Sequence, residues 1–235
     1  MEARRQISVD DPADVGPAPG RLRADASRNR AALLAAARDV FAEQGLEAPL
    51  EEIAARAGVG IGTLYRRFPS RRQLVAAALV EKVAMYAEMA EQALAGDDPW
   101  AGFAGFVTRI CELQAGDRGL SDLLSMALPA DEQVEQLRAR ANGYVIELID
   151  RAKAAGRLRA DFVGEDLLLL LVANAAIVQV TSADAPDAWR RFVALALDAF
   201  QLPGERRRLP APPSTAQMTR AMIRLARARG CGKRS

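Results

Sequence analysis

Polar and basic side chains share one side of a short helix that the sequence predicts over residues 61–68. Gly62, Thr63, Arg66 and Arg67 are spaced three and four residues apart, so they face outward together. Guanidinium groups and the free amides of a helix N-terminus bind phosphate oxygens, and hydroxyl and guanidinium groups also bind base edges. These residue types therefore indicate non-covalent recognition of a nucleic acid.

The segments around this helix have the spacing of a helix-turn-helix. A predicted helix over residues 50–57 precedes the turn Gly58-Val59-Gly60, and the helix at residues 61–68 follows it. Gly58 is able to take the left-handed conformation of a sharp turn, and Ala54 is small where the two helices cross. A helix presented in this way fits the major groove of DNA. The apolar residues expected on the inner faces are Ile53, Val59, Leu64 and Phe68.

Apolar residues repeat at helical spacing through most of the remaining chain, and no segment has the two-residue period of a strand. The sequence therefore predicts an all-α fold. The first helix is expected to begin at Asn29 and the fourth at Ser70, whose spacing from Gln73 is that of a capping box. Helix-breaking and capping residues predict five further helices. One begins at Pro99, a short one follows Gly119, and one ends at Gly156. The last two are expected over residues 164–181 and 186–200.

Composition divides the chain into four parts. Residues 1–24 lack periodicity and predict a disordered arm, residues 25–72 form the helix-turn-helix domain, and residues 73–202 form a larger helical domain. Residues 203–235 form a basic tail that is predicted to be disordered. A short basic amphipathic helix over residues 214–229 is the alternative for that tail.

Charge is distributed unevenly along the chain. The net charge is +4 over residues 21–72, −8 over residues 73–202 and +8 over residues 203–235. An acidic middle between basic segments predicts that a polyanion meets the ends and not the centre. A solvated basic surface is the alternative.

The sequence excludes several kinds of catalytic site. It contains no histidine, and its two cysteines, Cys111 and Cys231, are far apart. Histidine-dependent triads, zinc sites and dimetal carboxylate bundles therefore lack their ligands within one chain. Paired carboxylates such as Asp97-Asp98 lie beside helix starts, where they complement the helix dipole. We expect neither an enzyme nor a bound cofactor.

Targeting signals are also missing from the sequence. The first residues lack the apolar core of a secretory signal. The longest apolar run, residues 167–180, is shorter than the roughly 20 residues that a bilayer requires and contains Asn174 and Gln179. We expect a cytoplasmic protein with no membrane contact, in which this run is a buried helix.

One segment resembles a known family. Residues 57–74, AGVGIGTLYRRFPSRRQL, are similar to the most recognisable stretch of the DNA-binding domain of the tetracycline-repressor (TetR) family, and the likeness extends over residues 29–79. The resemblance implies a homodimer whose paired third helices enter successive major grooves of a palindromic operator. It also implies a C-terminal domain that binds a small-molecule inducer.

The resemblance implies roles for individual residues. Thr63, Tyr65 and Arg66 correspond to residues that touch bases or phosphates. Gly62, at the start of the same helix, is included in the predicted DNA-binding surface. Asn29 and Arg71 correspond to phosphate contacts at helix starts, and Arg28 corresponds to an arm residue. For Tyr65, an aromatic ring packed against its neighbours is the alternative.

Three positions depart from the pattern of the family. Gly60 and Ile61 stand where a serine and a basic residue are common, so a side-chain cap and one phosphate contact are lost. Ile61 is then expected to shift readout toward a thymine methyl or DNA shape. Pro49 replaces a capping serine or threonine, in a position where proline is tolerated.

The larger domain is expected to bind the inducer and to dimerise. Large apolar and aromatic side chains suit an adaptable apolar pocket, with ordinary core packing as the alternative. The helices over about residues 164–200 have apolar faces suited to a dimeric four-helix bundle, with monomer core as the alternative. The candidate ligand-binding residues are Met85, Met89, Trp100, Phe103, Met126 and Tyr144.

These observations favour a sequence-specific transcriptional regulator, a repressor that a small apolar or amphipathic ligand releases from its operator. The alternative is a non-specific, nucleoid-type DNA-binding protein without ligand control. A nucleoid-type protein has no need of a large, acidic second domain, which favours the regulator.

Overall fold

A computed structural model describes residues 19–125, 132–202, 214–217, 219–220 and 223. Within these residues the chain is helical, and the only sheet-like pairing is an isolated bridge between Leu158 and Gln201. The prediction of an all-α fold is therefore confirmed. The helices are α1 (Pro19–Gln44), α2 (Leu50–Arg56), α3 (Ile61–Arg67), α4 (Arg71–Leu94), α5 (Pro99–Gly116), α6 (Arg118–Ser125), α7 (Glu132–Ala154), α8 (Gly164–Thr181) and α9 (Ala188–Phe200).

Several helix ends follow directly from local chemistry. The Ser70 side chain accepts a hydrogen bond from the backbone N–H of Gln73 and caps α4, as the sequence predicted. Asp98 caps α5 through the N–H groups of Trp100 and Ala101. Each cap satisfies an amide that lacks a partner within its own helix.

The start of α1 differs from the prediction. The helix begins at Pro19, so Asn29 lies inside it and is not an N-cap. Residues 19–24, predicted to belong to a disordered arm, are helical. Proline is favoured in a first helical turn, and the Arg, Leu and Ala residues that follow have high helix propensity. Helix propensity leaves no repeating pattern of apolar residues, so the search for helical periodicity did not find this start.

The other end of the chain also differs. Residues 215–217, 219, 220 and 223 are helical, which favours the helical alternative over the predicted disorder for these residues. The side chain of Thr215 donates a hydrogen bond to Glu165 Oε1 of α8 at 2.5 Å. The prediction for residues 1–18, 203–213 and 224–235 lies outside the described residues.

Two clusters of buried side chains organise the described residues. The first joins α1, α2 and α3 to the beginning of α4 and to α6, with Phe41, Ile53, Leu64 and Leu74 at its centre. The second joins the later part of α4 to the last helices; its fully buried members include Phe103, Ile110 and Phe162. Helix α4 contributes to both clusters, so it connects the two parts of the fold.

The helix α8 is less buried than the sequence predicted. It is long and apolar enough to cross a membrane by length and composition alone, with a mean hydropathy of 1.5, yet only 22% of it is buried. Leu169 is 43% exposed and Val180 is 80% exposed. The prediction of a buried helix is therefore wrong for this chain taken alone. Asn174, in contrast, is fully buried and donates a hydrogen bond to Gln114 Oε1 at 2.9 Å.

Candidate nucleic-acid interface

The turn between α2 and α3 has the conformation that the sequence predicted. Gly58 has a φ of 68°, in the left-handed region that glycine tolerates. The N–H of Val59 donates to the carbonyl of Ala54 at 3.0 Å, which closes the turn. Leu64 is fully buried in the first cluster, so the opposite face of α3 points away from the protein.

The outward face of α3 carries the predicted residues. Gly62, Arg66 and Arg67 are exposed, Thr63 is half-buried, and Tyr65 is 47% exposed. Tyr65 is therefore not a core residue, and its contact with DNA stays a prediction. The side chain of Arg66 donates to Thr63 Oγ1 at 2.8 Å, which orders both groups on the surface. Hydroxyl, phenol and guanidinium groups thus lie together on one free face.

The departures from the family pattern have visible consequences. Gly60 caps α3 with its backbone only, and its carbonyl accepts from the N–H of Thr63 at 2.8 Å. Pro49 occupies the N-cap position of α2, also without a side-chain cap. Ile61 is half-buried and packs against the first cluster, so part of its surface serves packing.

Arg71 is placed differently from a free surface arginine. Its Nη1 donates to the carbonyl oxygens of Leu46 at 2.9 Å and Ala48 at 2.7 Å, in the connection between α1 and α2. These two hydrogen bonds tie the start of α4 to that connection. The half-buried Arg71 is therefore a structural clamp through its Nη1, and its predicted contact with phosphate stays a prediction.

Arg28 and Asn29 lie along α1 rather than at its start. Arg28 is exposed and Asn29 is half-buried. The neighbouring Arg30 places its guanidinium 5.4 Å from the centre of the Phe68 ring, a cation–π contact that joins α1 to the end of α3.

Beside α3 lies a groove that we call the arginine groove, and sequence reasoning missed most of it. Among the residues that the structure describes, three arginines from three helices line it and no carboxylate does. Arg67 was considered as a surface residue, whereas Arg30 and Arg72 were not singled out. Arg30 and Arg72 are each adjacent in sequence to a residue that the motif identified. The three arginines come together only through the packing of α1, α3 and α4. The lining residues are Arg30, Arg67, Phe68, Ser70, Arg72, Gln73, Ala76 and Ala77.

An ion pair fixes α2 to α1 behind this surface. Arg56 donates to both carboxylate oxygens of Glu43, at 2.7 and 2.9 Å. The hydrogen bond from Arg56 lowers the pKa of Glu43 below its ordinary value. The pair links α2 to α1 and leaves α3 exposed.

Four of the six predicted ligand-binding residues lie in or against the second cluster. Phe103 is 1% exposed and packs edge-on against Phe162, with ring centres 5.5 Å apart. Met89, Trp100 and Tyr144 pack against the same cluster, and Met85 is half-buried. Met126 lies outside the described residues.

The polar and reactive groups of this region have other partners. The hydroxyl of Tyr144 donates to Glu91 Oε1 at 2.8 Å. Burial raises the pKa of the Cys111 thiol to about 12, which leaves it protonated and inert. Among the described residues, no group of three or more cysteine, aspartate and glutamate side chains is arranged to hold a metal ion.

Two family profiles match the chain. The family described as bacterial regulatory proteins, tetR family, matches residues 33–78, and the C-terminal domain of SbtR-like transcriptional regulators matches residues 98–201. No curated protein sequence matches the chain.

Solved structures resemble the chain over most of its length. A TetR transcriptional regulator from Streptomyces coelicolor is 34% identical, covering 73% of this chain and 98% of its own, with a TM-score of 0.48. RolR in complex with resorcinol is 23% identical (75% and 89% covered, TM-score 0.50). FadR from Bacillus subtilis in complex with stearoyl-CoA is 19% identical (71% and 96% covered, TM-score 0.51). The last two likenesses concern the fold alone.

Proposed function

Because the chain belongs to the TetR family of DNA-binding transcriptional regulators, we propose that it is a repressor that a small apolar or amphipathic ligand releases from a palindromic operator. In this proposal residues 25–72 bind DNA, and residues 73–202 bind the ligand and dimerise. The protein acts in the cytoplasm, where its DNA is, and does so as a regulator rather than as an enzyme.

The observation that carries the proposal is the free face of α3 next to the arginine groove. Thr63, Tyr65 and Arg66 are on the outward side of a helix whose inner side is locked by Leu64. Such a helix enters the major groove with its polar face toward base edges. Phosphates of the adjoining backbone then meet Arg67 and Arg72, two of the arginines that line this groove.

The side chain of Arg71 contributes indirectly in this proposal. Since its Nη1 is occupied by the carbonyls of Leu46 and Ala48, it positions the start of α4. Phosphate binding at that helix start comes from the backbone N–H groups of its first turn and from Arg72. Arg28 and Asn29 directly precede Arg30 in α1, and in this proposal they approach the DNA backbone from that helix.

The proposed dimer uses the exposed apolar faces of α8 and α9. Leu169, Val180 and Leu195 are 43%, 80% and 57% exposed, which is unusual for large aliphatic side chains on consecutive helices. A second copy that covers them builds a four-helix bundle from two pairs of helices. Two copies of α3 related by twofold symmetry then reach half-sites roughly one turn of DNA apart.

The proposed ligand site lies among the aromatic and methionine side chains of the second cluster. Trp100, Phe103 and Tyr144 supply rings, and Met85 and Met89 supply flexible thioethers that adapt to different shapes. An apolar or amphipathic ligand of the inducer type suits such a lining.

Selection of genomic fragments by the purified protein, followed by sequencing, tests the proposed function. We expect a small set of fragments that share an inverted repeat, and a steep loss of affinity with added salt, because phosphate contacts release counterions. Binding that depends only on fragment length, with no shared sequence, would instead identify a non-specific DNA-binding protein.

A further inference from the structure

Helix α6 lies outside the helix-turn-helix, yet its side chains reach the unit that presents α3. Leu120 and Leu123 of α6 are buried in the first cluster, together with residues of α1, α2 and α3. The backbones are closely fitted here, because a Cβ on Gly119 would lie 2.9 Å from the carbonyl oxygen of Phe41 in α1. A polar contact that α6 makes at this boundary therefore acts directly on the helix-turn-helix.

Asp122 of α6 makes such a contact. Its Oδ2 accepts a hydrogen bond from the backbone N–H of Leu46 at 2.9 Å, in the connection between α1 and α2. Leu46 is fully buried. A buried N–H that loses its acceptor is costly, because water does not replace the missing partner. The carboxylate therefore holds the connection to α6.

The connection has the shape that this carboxylate requires. Gly45 is buried and has a φ of 87°, in the left-handed region. A Cβ at Gly45 would lie 2.6 Å from Asp122 Oδ2. A side chain at this position would be strained and would push the carboxylate away from Leu46. The glycine and the aspartate are therefore fitted to each other.

The backbone of Leu46 is also held from a second helix. Its carbonyl accepts a hydrogen bond from Arg71 Nη1 at 2.9 Å, so charged side chains of α6 and α4 engage both its N–H and its carbonyl. Hydrogen bonds with a charged partner are roughly twice as strong as neutral ones. Since Leu46 shortly precedes Leu50, where α2 begins, the two contacts fix the entry of the chain into the helix-turn-helix.

The start of α6 is itself tied to α4. Asp117 accepts a hydrogen bond from the backbone N–H of Leu120 at 2.8 Å, and its other carboxylate oxygen pairs with Lys82 of α4. The side chains of Lys82 and Asp117 are only 17% and 22% exposed, so the pair is partly shielded from water and salt. Asp122 is thus carried by a helix whose first turn is anchored.

We propose that Asp122 is a positioning residue for DNA recognition, an inference that rests on the proposed function. Asp122 does not lie on the outward face of α3 and acts through Leu46. By holding the connection that leads into α2, it sets the pose in which α3 meets the major groove. Loss of this hydrogen bond lowers the affinity for DNA although no group that contacts DNA is removed.

Hydrogen–deuterium exchange on the full chain without DNA tests the contact itself. We expect the amide of Leu46 to exchange about tenfold faster in Asp122→Ala than in the parent, because its acceptor is lost. Asp98→Ala is the matched control. Asp98 also accepts backbone N–H bonds, but at the start of α5, so its loss should leave exchange at Leu46 unchanged. Unchanged exchange at Leu46 in Asp122→Ala would overturn the proposal.

Affinity for a genomic fragment that the protein selects tests the positioning role. The measurement is made at a temperature where circular dichroism shows every variant folded. We expect Asp122→Ala to bind about tenfold more weakly. Asp98→Ala should also lower the melting temperature, because a helix cap is lost, yet it should bind DNA like the parent. A purely structural role for Asp122 predicts this second behaviour for both variants.

Two further variants at Asp122 separate the hydrogen bond from other effects. Asp122→Asn keeps an acceptor oxygen and should bind within about threefold of the parent. Asp122→Leu has nearly the same shape without an acceptor, so it protects the test against misfolding and should bind as weakly as Asp122→Ala. Parent-like affinity in Asp122→Leu, or an Asp122→Asn variant as weak as Asp122→Ala, would overturn the positioning role.

Failure of the proposed function has a different outcome. A protein that selects no fragment would refute the proposed regulator. Exchange at Leu46 would still report whether Asp122 holds the connection. The same variants, compared on one fixed DNA duplex, would then decide whether this contact positions the helix-turn-helix.

Discussion

The side chain of Arg66 donates a hydrogen bond to the hydroxyl of Thr63, one turn earlier on α3, at 2.8 Å. The bond holds two polar groups on a helix face that has no packing role, because Leu64 buries the other face. Order on an exposed surface reduces the entropy lost when the same groups bind a partner. We therefore expect the pair to serve recognition more than stability.

We expect Arg66→Ala to weaken binding to a selected DNA fragment by about 1–3 kcal/mol, roughly 5- to 150-fold, because a base or phosphate contact is lost. The melting temperature should change little, since Arg66 is exposed. Electrophoretic shift and thermal denaturation measure the two effects. Arg109→Ala, an equal change of charge on α5, is the control and should leave DNA binding unchanged. Loss of folding in Arg66→Ala would contradict the assignment.

Arg71→Ala should behave differently from Arg72→Ala, although the two residues are adjacent. Removing Arg71 leaves the carbonyls of Leu46 and Ala48 without their donor, so we expect stability to fall by about 1.5–3 kcal/mol. Arg72 is exposed in the arginine groove, so its loss should weaken DNA binding and change stability by less than about 0.5 kcal/mol. Chemical denaturation separates them. Equal stability of the two variants would argue against the clamp.

Leu195→Arg should convert the proposed dimer into a monomer, because it places a charge within the apolar face of α8 and α9. Light scattering coupled to size-exclusion chromatography measures the mass. The matched control is Ile146→Arg, since Ile146 is 56% exposed on α7, outside that face. Dimers that persist in Leu195→Arg, or monomers in the parent chain at micromolar concentration, would disprove this interface.

The ion pair between Glu43 and Arg56 should contribute to the acid sensitivity of stability. The hydrogen bond from Arg56 lowers the pKa of Glu43 in the folded state below its ordinary 4.5. A lowered pKa adds stability that is present above the ordinary value and is lost as the pH falls through the folded value. We therefore expect the urea midpoint of Glu43→Gln to fall less than that of the parent between pH 5 and about pH 3. Parallel curves would show that the pair contributes nothing.

The sequence predicted the helix-turn-helix well because its determinants are local. The spacing of Ile53, Gly58 and Leu64 specifies two short helices and a left-handed turn without reference to the rest of the fold. The bounds of α8 were predicted for the same reason, since Gly164 and Thr181 border an apolar run.

Features that depend on tertiary contacts were not predictable in this way. The clamp made by Arg71 requires knowledge of where the carbonyls of Leu46 and Ala48 lie, and the arginine groove requires that α1 pass beside the end of α3. The sequence did not predict the start of α1 at Pro19, because helix propensity does not produce the repeating apolar pattern from which helices were predicted. The exposure of α8 was not predicted, because the sequence of an apolar helix does not show whether its own chain or a second copy covers it.

The length of helix α4 has a mechanical consequence. It runs for 24 residues from the cap at Ser70 to Leu94, a straight distance of about 36 Å at 1.5 Å per residue. A stiff rod of that length acts as a lever, so a tilt of about 5° at one end displaces the other by roughly 3 Å, as much as a hydrogen bond is long. In the proposed function, a small rearrangement among the aromatic rings near one end would thereby displace the other end, where Arg72 is proposed to meet a phosphate.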